Sequence, residues 1–447
     1  MRTEMSQLKV SISTLGCKSN QYDSSALEDA LKDASLTVVP FPGPADAYII
    51  NTCTVTGKTD IQSRQLIRKV RKENPAALVI VTGCYAQVSP DEVAAIEGVD
   101  YVVGNPEKGH IVEFIKSGRQ ASPVKDLGQW QDGTPWSLRA RSSSGRTRAN
   151  FKIQEGCDRS CSYCIIPKAR GLSRSLPMDE VEREIDALVA SGYREIILTG
   201  IHLGAFGSDF DKPSDLTAVV ELIEKKDYPC RFRISSLDPD EVTERLIDLL
   251  KSAKRICNHL HLPLQSGDDA IIRKMHRPYT GALFAEKVEK LAASVPGISI
   301  GADIIAGFPG EGEAEFENTF SLVSSLPLSY LHIFPFSIRR GTPAASMPGL
   351  VESRVIKDRC EMLRELDLQK RHAFHKSFEG KIECVLVERV RDRKTGLLKG
   401  RSRNYIQVFL EGQDALRGEL TRVKLLAHFG EGMNAEALGP QNPQEAF

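Results

Sequence analysis

The chain has 447 residues, with 59 basic and 59 acidic side chains. That length points to two to four domains at about 150 residues each, and the charge balance leaves any nucleic-acid partner to be read from local runs alone. The stretch MRTEMSQLKVSISTLGC is too polar for a secretory segment, and no apolar run approaches the roughly 18 residues of a membrane span, so a soluble cytoplasmic protein is expected. Ten cysteines in such a chain are not a disulfide framework, because cytosolic thiols stay reduced and a chain this long needs no staples.

The first third alternates short apolar runs with helical patterns: KVSISTLGC then DSSALEDALKDA, AYIINTC then TDIQSRQLIRKVRKE, ALVIVTGC then PDEVAAIE, and finally YVVGN. This alternation predicts a doubly wound parallel sheet. Three of its four strands run into a cysteine, namely Cys17, Cys53 and Cys84. Ligands of open parallel sheets bind beyond the carboxyl ends of the strands, so three residues far apart in sequence can converge there. Arg64, Arg68, Lys69, Arg71 and Lys72 read as the solvated face of the second helix.

Residues 121–149 are rich in Gly, Ser, Pro and Arg and read as a linker. Alternation then resumes with NFKIQEG, REIILTGIHLG, CRFRISSL, HLHLPLQSG, SIGADIIAGFPG and YLHIFPFS, six candidate strands of an open sheet or partial barrel. Polar and glycine residues cluster after each of them, where barrel active sites lie. From residue 375 the pattern turns to short alternating strands, IECVLVERV, NYIQVFLEG and LTRVKLLAHFG, which predict a small β domain of roughly 60 residues. Within it Arg389, Arg391, Arg393, Lys394, Lys399, Arg401 and Arg403 face a single acid, Asp392, a one-sided charge suited to a phosphate backbone.

The segment EGCDRSCSYCIIPKARG carries the densest signal, with Cys157, Cys161 and Cys164 spaced C-x3-C-x2-C. Structural zinc takes four closed ligands, usually in paired C-x2-C units, and no partner pair lies nearby. A four-iron cluster held by three thiolates keeps one iron open to a small molecule, which gives three cysteines a chemical purpose.

With Tyr163 beside its last cysteine, this triplet resembles that of the radical S-adenosylmethionine (SAM) enzymes. In that superfamily the open iron chelates SAM, and an electron cleaves it to methionine and a 5′-deoxyadenosyl radical. TLGCKSNQYDSSALEDAL, NTCTVTGKTDIQSRQLIRK, VTGCYAQ, LTGIHLGAFG, HLHLPLQSG, GADIIAGFPGE and FPFSIRRGTPA follow in the order found in the methylthiotransferases, whose C-terminal unit is a small RNA-binding TRAM domain. The resemblance covers nearly the whole chain. It implies residues 1–120 as a methylthiotransferase domain, 150–374 as a radical SAM partial barrel and 375–440 as a TRAM-like domain.

The resemblance also implies two [4Fe-4S] clusters, one on Cys157, Cys161 and Cys164 and an auxiliary one on Cys17, Cys53 and Cys84. Cys230, Cys257, Cys360 and Cys384 match no cluster motif and are assigned to structure. Tyr163, Thr199, Gly200, Ser235, Ser236, Gln265, Gly307 and Gly310 are implied to line the SAM pocket, while Phe206 and Phe336 stand where the family often has tyrosine. One SAM would supply a methyl group to sulfur and a second the radical, replacing an unactivated C–H bond by C–S–CH3; positioning then matters more than acid–base catalysis. GCKSNQYD and NTCTVT resemble the branch that modifies threonylcarbamoyladenosine in tRNA. Isopentenyladenosine in tRNA, an aspartate of a ribosomal protein and a non-catalytic RNA-binding scaffold are the alternatives. The expected partners are tRNA and an electron donor such as flavodoxin or ferredoxin, with no membrane, and the enzyme is expected to be a monomer.

Overall fold

The computed structural model describes residues 8–130, 136, 138–141 and 145–440. Its N-terminal sheet has six strands: β1 (Lys9–Thr14), β2 (Thr37–Val39), β3 (Ala47–Thr52), β4 (Leu78–Gly83), β5 (Tyr101–Val103) and β6 (Val124–Asp126). All pair in parallel, in the order β2-β1-β3-β4-β5-β6. Every residue of β3 and β4 is buried. Both faces are covered, which is why these strands read as unbroken apolar runs. Helix α1 (Lys18–Asp33) buries Ala26, Leu27 and Leu31, and helix α2 (Gly57–Glu73), opened by a Thr56–Thr59 capping box, buries Ile67 and Val70. Arg68, Lys69 and Lys72 point to solvent along α2 as expected. Two edge strands escape the sequence pattern: β2 is only three residues long, and β6 lies inside the stretch expected to be linker.

The central unit holds all six expected strands: β7 (Ala149–Lys152), then, after a small antiparallel ribbon of β8 (Gln154–Glu155) and β9 (Arg174–Ser175), β10 (Glu195–Thr199), β11 (Arg231–Ile234), β12 (His259–His261), β13 (Ser299–Ala306) and β14 (Tyr330–Pro335). They form two three-stranded parallel sheets, β11-β10-β7 and β12-β13-β14, joined by a parallel bridge between Phe232 and Ile256. The strands thus run in chain order around an open arc. Helices Leu216–Lys226, Glu244–Ser252 and Gly281–Ser294, capped by Asp215, Thr243 and Thr280, pack their apolar sides onto it.

Helix Ser353–Lys376 leads into a closed barrel of β15 (Ile382–Val387), β16 (Leu398–Ser402), β17 (Gln407–Leu410), β18 (Leu420–Phe429) and β19 (Gly432–Pro440). Closure pairs every strand and leaves no open edge. Two buried arginines of β11 fasten it to the arc. Arg231 donates to the carbonyls of Cys384 and Arg401 at 3.0 and 2.7 Å, and Arg233 to those of Arg403 and Ser402 at 2.9 and 3.1 Å. Both also bind the carboxylate of Glu195 on β10. Among the described residues no helix is long and apolar enough to cross a membrane.

Candidate functional site

The order of the N-terminal sheet reverses between β1 and β3, and the crevice of such a reversal is where doubly wound sheets bind ligands. Cys17 follows β1, Cys53 follows β3 directly and Cys84 follows β4 directly. Two glycines let these strand ends close up. Gly16, at φ +97°, approaches Cys53 so tightly that a Cβ would sit 2.7 Å from its Sγ, and a Cβ on Gly83, at φ +94°, would meet the Thr52 carbonyl at 2.3 Å. Burial pushes the Cys53 thiol up to about 11, with Cys84 and Cys17 adding to the rise against a hydrogen bond from the Val55 backbone N–H. The three thiols are therefore electrostatic neighbours, although 31 residues or more separate each from the next.

Cys157, Cys161 and Cys164 lie on a loop closed at its neck, where the Cys157 N–H donates to the Gly171 carbonyl at 3.0 Å. Ser162 clamps it to the Lys274–Arg277 segment, its N–H reaching the Met275 carbonyl at 3.1 Å and its hydroxyl the Lys274 carbonyl at 2.7 Å. Burial pushes the Cys164 thiol up to about 12, opposed by the Ile166 backbone N–H and reinforced by Cys161 and Cys157. Arg277 donates to Cys161 Sγ at 3.3 Å and pairs with Asp238. His202 lies against Cys157, its Nε2 2.5 Å from Glu241 Oε1; burial would lower the imidazole, but Cys157 and Glu241 raise it to about 10.

Arg170 joins the two sites. It closes the short helix Ile166–Arg170 that follows the cysteine loop, and from there it enters the N-terminal unit. Its Nε donates to Cys84 Sγ at 3.4 Å, its Nη1 to Asp23 and Glu155 at 2.9 Å each, and its Nη2 to Asn20. Lys108 and Lys152 complete the network on Asp23 at 2.5 and 2.7 Å. Burial alone would raise the Asp23 carboxyl, but Lys108, Lys152 and Arg170 hold it well below the ordinary carboxylate range. Removing one partner from such a network leaves an uncompensated buried charge. Asp23, Lys108, Lys152 and Arg170 also border a cavity of about 240 Å³ that Trp130 and Trp136 help to line.

Three thiols brought to one place, each set with a guanidinium donating to one sulfur, suit a metal–sulfur group wider than a single ion. Thiolates are the form that binds iron, and N–H donors to sulfur are a recognised feature of such centres. His202 is the imidazole beside the central set, and it is engaged by Glu241 at 2.5 Å.

The residues expected at SAM occupy the carboxyl ends of the arc strands, on the side of the cysteine loop. Thr199 ends β10, and Gly200 packs so closely on Gln154 that a Cβ would lie 2.8 Å from its Oε1. Ser235 follows β11, buried, and Ser236 is exposed. Gln265 bridges to Ile304 of β13 at φ +68°, and Gly307 and Gly310 follow β13 at φ +83° and +80°. Tyr163 meets Phe308 edge-on at 6.4 Å, and Phe336 packs on the same ring at 5.4 Å. Phe206 is buried in the core against Phe210.

The basic run divides. Arg389, Arg393 and Lys394 are exposed. Arg391 is turned onto its own unit, donating to the Gly396 and Gly412 carbonyls at 3.0 and 2.7 Å, and Lys399 lies 3.8 Å from Asp392. Arg401 and Arg403 face the arc instead, Arg403 donating to the Ile256 carbonyl at 2.7 Å. Beside them Tyr405 adopts φ +68° and slots its ring between the guanidinium groups of Arg401 and Arg233, 4.6 and 4.8 Å from its centre. Arg401 and Tyr405 share with Tyr330, His332 and Arg371 a cavity of about 200 Å³. Lys18, directly after Cys17, reaches this junction and donates to the Ser235 hydroxyl at 3.3 Å.

Residues 9–104 match the model of Uncharacterized protein family UPF0004, and residues 151–323 that of the Radical SAM superfamily. The threonylcarbamoyladenosine tRNA methylthiotransferase MtaB of Bacillus subtilis is 38% identical over 93% of both chains, and that of Thermotoga maritima 38% over 94% of this chain and 95% of its own. The chain belongs to the radical SAM tRNA methylthiotransferases. A tRNA-2-methylthio-N(6)-dimethylallyladenosine synthase of Fusobacterium nucleatum is 34% identical over 93% of this chain and 97% of its own. Among solved structures the radical S-adenosylmethionine methyltransferase TsrM of Kitasatospora setae shares the fold at a TM-score of 0.57 and 15% identity, over 76% of this chain and 75% of that one. The methylthiotransferase acts on tRNA and works with SAM and iron–sulfur clusters. Lys18, Arg170, His202 and Arg277 are the site residues that sequence reasoning missed.

Proposed function

We propose that this enzyme inserts a methylthio group at C2 of N6-threonylcarbamoyladenosine next to the tRNA anticodon. The observation that carries the reading is the comparison within the family: relatives named for threonylcarbamoyladenosine are up to 38% identical, against 34% for those named for the dimethylallyl nucleoside. Cys157, Cys161 and Cys164 would hold the cluster that opens SAM, and Cys17, Cys53 and Cys84 the auxiliary one. When bound, these groups supply an adenosyl radical and a methylated sulfur, neither of which a side chain can provide.

The chain's own residues bind and position. Tyr163, Thr199, Gly200, Ser235, Ser236, Gln265, Gly307 and Gly310 form the SAM pocket at the strand ends. Arg170 holds the two cysteine sites at a fixed separation by bonding to both units, which suits a reaction whose demand is alignment in a dry site. Residues 1–120, 150–374 and 375–440 are the working units, the last a TRAM-like domain. Its exposed Arg389, Arg393 and Lys394 contact phosphates, and Arg391, Lys399, Arg401 and Arg403 shape the surface that meets the RNA. The enzyme is a cytoplasmic monomer that takes electrons from a flavodoxin or ferredoxin.

Nucleoside mass spectrometry of tRNA from cells lacking the gene tests the reading. The methylthio form of threonylcarbamoyladenosine should vanish and return with the wild-type gene, but not with Cys157→Ala or Cys53→Ala. Loss of the dimethylallyl derivative alone would move the substrate to the other branch.

A further inference from the structure

The three units of the chain meet around Lys18, and the charge there does not balance. Lys18 leaves the sheet crevice directly after Cys17 and points at the carboxyl end of β11. Among the described residues its side-chain nitrogen has one partner, the neutral hydroxyl of Ser235. The charged and phenolic groups around it are Arg148, Arg233, Tyr405 and Glu195.

The acids within reach are already engaged. Glu195 is held by Arg231 and Arg233 at 2.7 and 2.9 Å, and Arg148 is paired with Glu388 at 2.7 Å. Arg401, whose guanidinium lies 4.6 Å from the Tyr405 ring centre, donates among the described residues to the Tyr405 carbonyl at 3.0 Å and the Gln407 side chain at 2.9 Å. Lys18 and Arg401 thus stand on either side of this junction without a carboxylate of their own. Both are half-buried, and a cation partly withdrawn from water without a counter-ion carries a cost that an ordinary fold removes by exposing or pairing it. A binding site can retain it, because the ligand brings the missing charge.

We infer that Lys18, at the Ser235 edge of the SAM pocket, and Arg401 behind Tyr405 form an anion pocket that receives the carboxylate of the threonylcarbamoyl group. The inference rests on the substrate proposed above and names the part of the site that reads it. The threonylcarbamoyl substituent ends in a carboxylate, whereas a dimethylallyl group is a hydrocarbon and has nothing to offer an ammonium. A site built around a charged partner discriminates against a ligand lacking it, since the bound ligand then covers a charge it does not match. Lys18 is also well placed for this role. It adjoins Cys17, one of the thiols of the proposed auxiliary cluster, so a substituent held by Lys18 is anchored next to the crevice. Tyr405 contributes a backbone held in the left-handed region, a strain that folds keep where a side chain must be aimed.

The experiment measures the affinity of the cluster-loaded enzyme for three anticodon stem-loops by fluorescence anisotropy. One carries threonylcarbamoyladenosine, one its threonyl methyl ester and one unmodified adenosine. Wild type should bind the acid roughly tenfold more tightly than the ester, as a charge-assisted contact of about 1.4 kcal/mol requires. Lys18→Met should bind acid and ester alike at the ester's level, with iron content unchanged, and Lys18→Arg should keep most of the preference. If Lys18→Met retains the wild-type preference for the acid, the inference is overturned. Equal weakening toward all three RNAs would assign the pocket to a backbone phosphate and overturn it as well. If wild type itself fails to distinguish threonylcarbamoyladenosine from unmodified adenosine, the proposed substrate falls and the pocket with it.

Discussion

The two cysteine sites hold the same number of thiols and are built in opposite ways. In the central unit three cysteines share one loop of eight residues, pinned by Ser162 and the Gly171 carbonyl, so local geometry suffices. In the N-terminal unit they come from three separate strand ends and meet only because the sheet order brings β1, β3 and β4 side by side. A site of the first kind tolerates disturbance elsewhere in the fold. A site of the second kind is only as sound as the sheet and the interface that supports it, and Arg170 and Lys152 are the buried cations through which the central unit is tied to Asp23 of the N-terminal one.

The largest effects should separate the two sites by function. Cys157→Ala is expected to abolish both 5′-deoxyadenosine formation and methylthiolated product, measured by chromatography of reaction mixtures. Cys53→Ala should abolish the product while SAM cleavage persists. Loss of both activities in both variants would break the division of labour.

Arg170→Met strikes the support. With Asp23 and Glu155 losing a buried partner, stability should fall by roughly 3 kcal/mol. Iron bound by the N-terminal site should drop more than that of the central site, as read by thermal unfolding and iron analysis. An unchanged unfolding temperature would show that Arg170 does not support the N-terminal site. Arg277→Met removes the donor to Cys161 from a loop that is already pinned; here activity should fall about ten- to a hundredfold, and stability should fall too because Asp238 loses its buried partner, while iron at the N-terminal site stays unchanged.

The pattern of the cysteine loop was legible in sequence because its ligands are close neighbours in the chain. The alternation of strands and helices was legible too, and so was the prospect that Cys17, Cys53 and Cys84 meet at strand ends. What escaped were residues that act across long separations: Arg170 lies 86 positions from Cys84, and Arg277 lies 116 from Cys161. A lone arginine in such a place has no local signature. The basic run from Arg389 to Arg403 was visible as charge, but Arg393 and Lys394 lie in an exposed turn before β16, whereas Arg401 and Arg403 lie where the end of β16 docks on β11 and turn inward. The short strands β2 and β6 fell below the length at which a period shows.

The C-terminal barrel, which holds no cysteine site, gives the smaller effects. Burial, with help from His428, Arg371, His372 and Arg401, lowers His375 at its junction with the preceding helix to about 4, against 6.5 for an ordinary imidazole. The unfolded chain therefore binds the extra proton first. Stability is complete above about pH 6.5 and is lost as pH falls toward 4. Thermal unfolding at pH 7.5 and pH 5 should show that drop, and His375→Phe should flatten it. Arg393→Ala with Lys394→Ala should weaken tRNA binding about equally for every sequence and reduce the salt slope by about one per residue.

The central claim is that both thiol sets hold a four-iron cluster, and anaerobic reconstitution followed by iron and sulfide analysis tests it most directly. Wild type should bind about eight irons per chain, and Cys53→Ala and Cys157→Ala about four each. Four irons in wild type, lost completely in Cys157→Ala and unchanged in Cys53→Ala, would contradict the account by leaving the N-terminal thiols without a cluster.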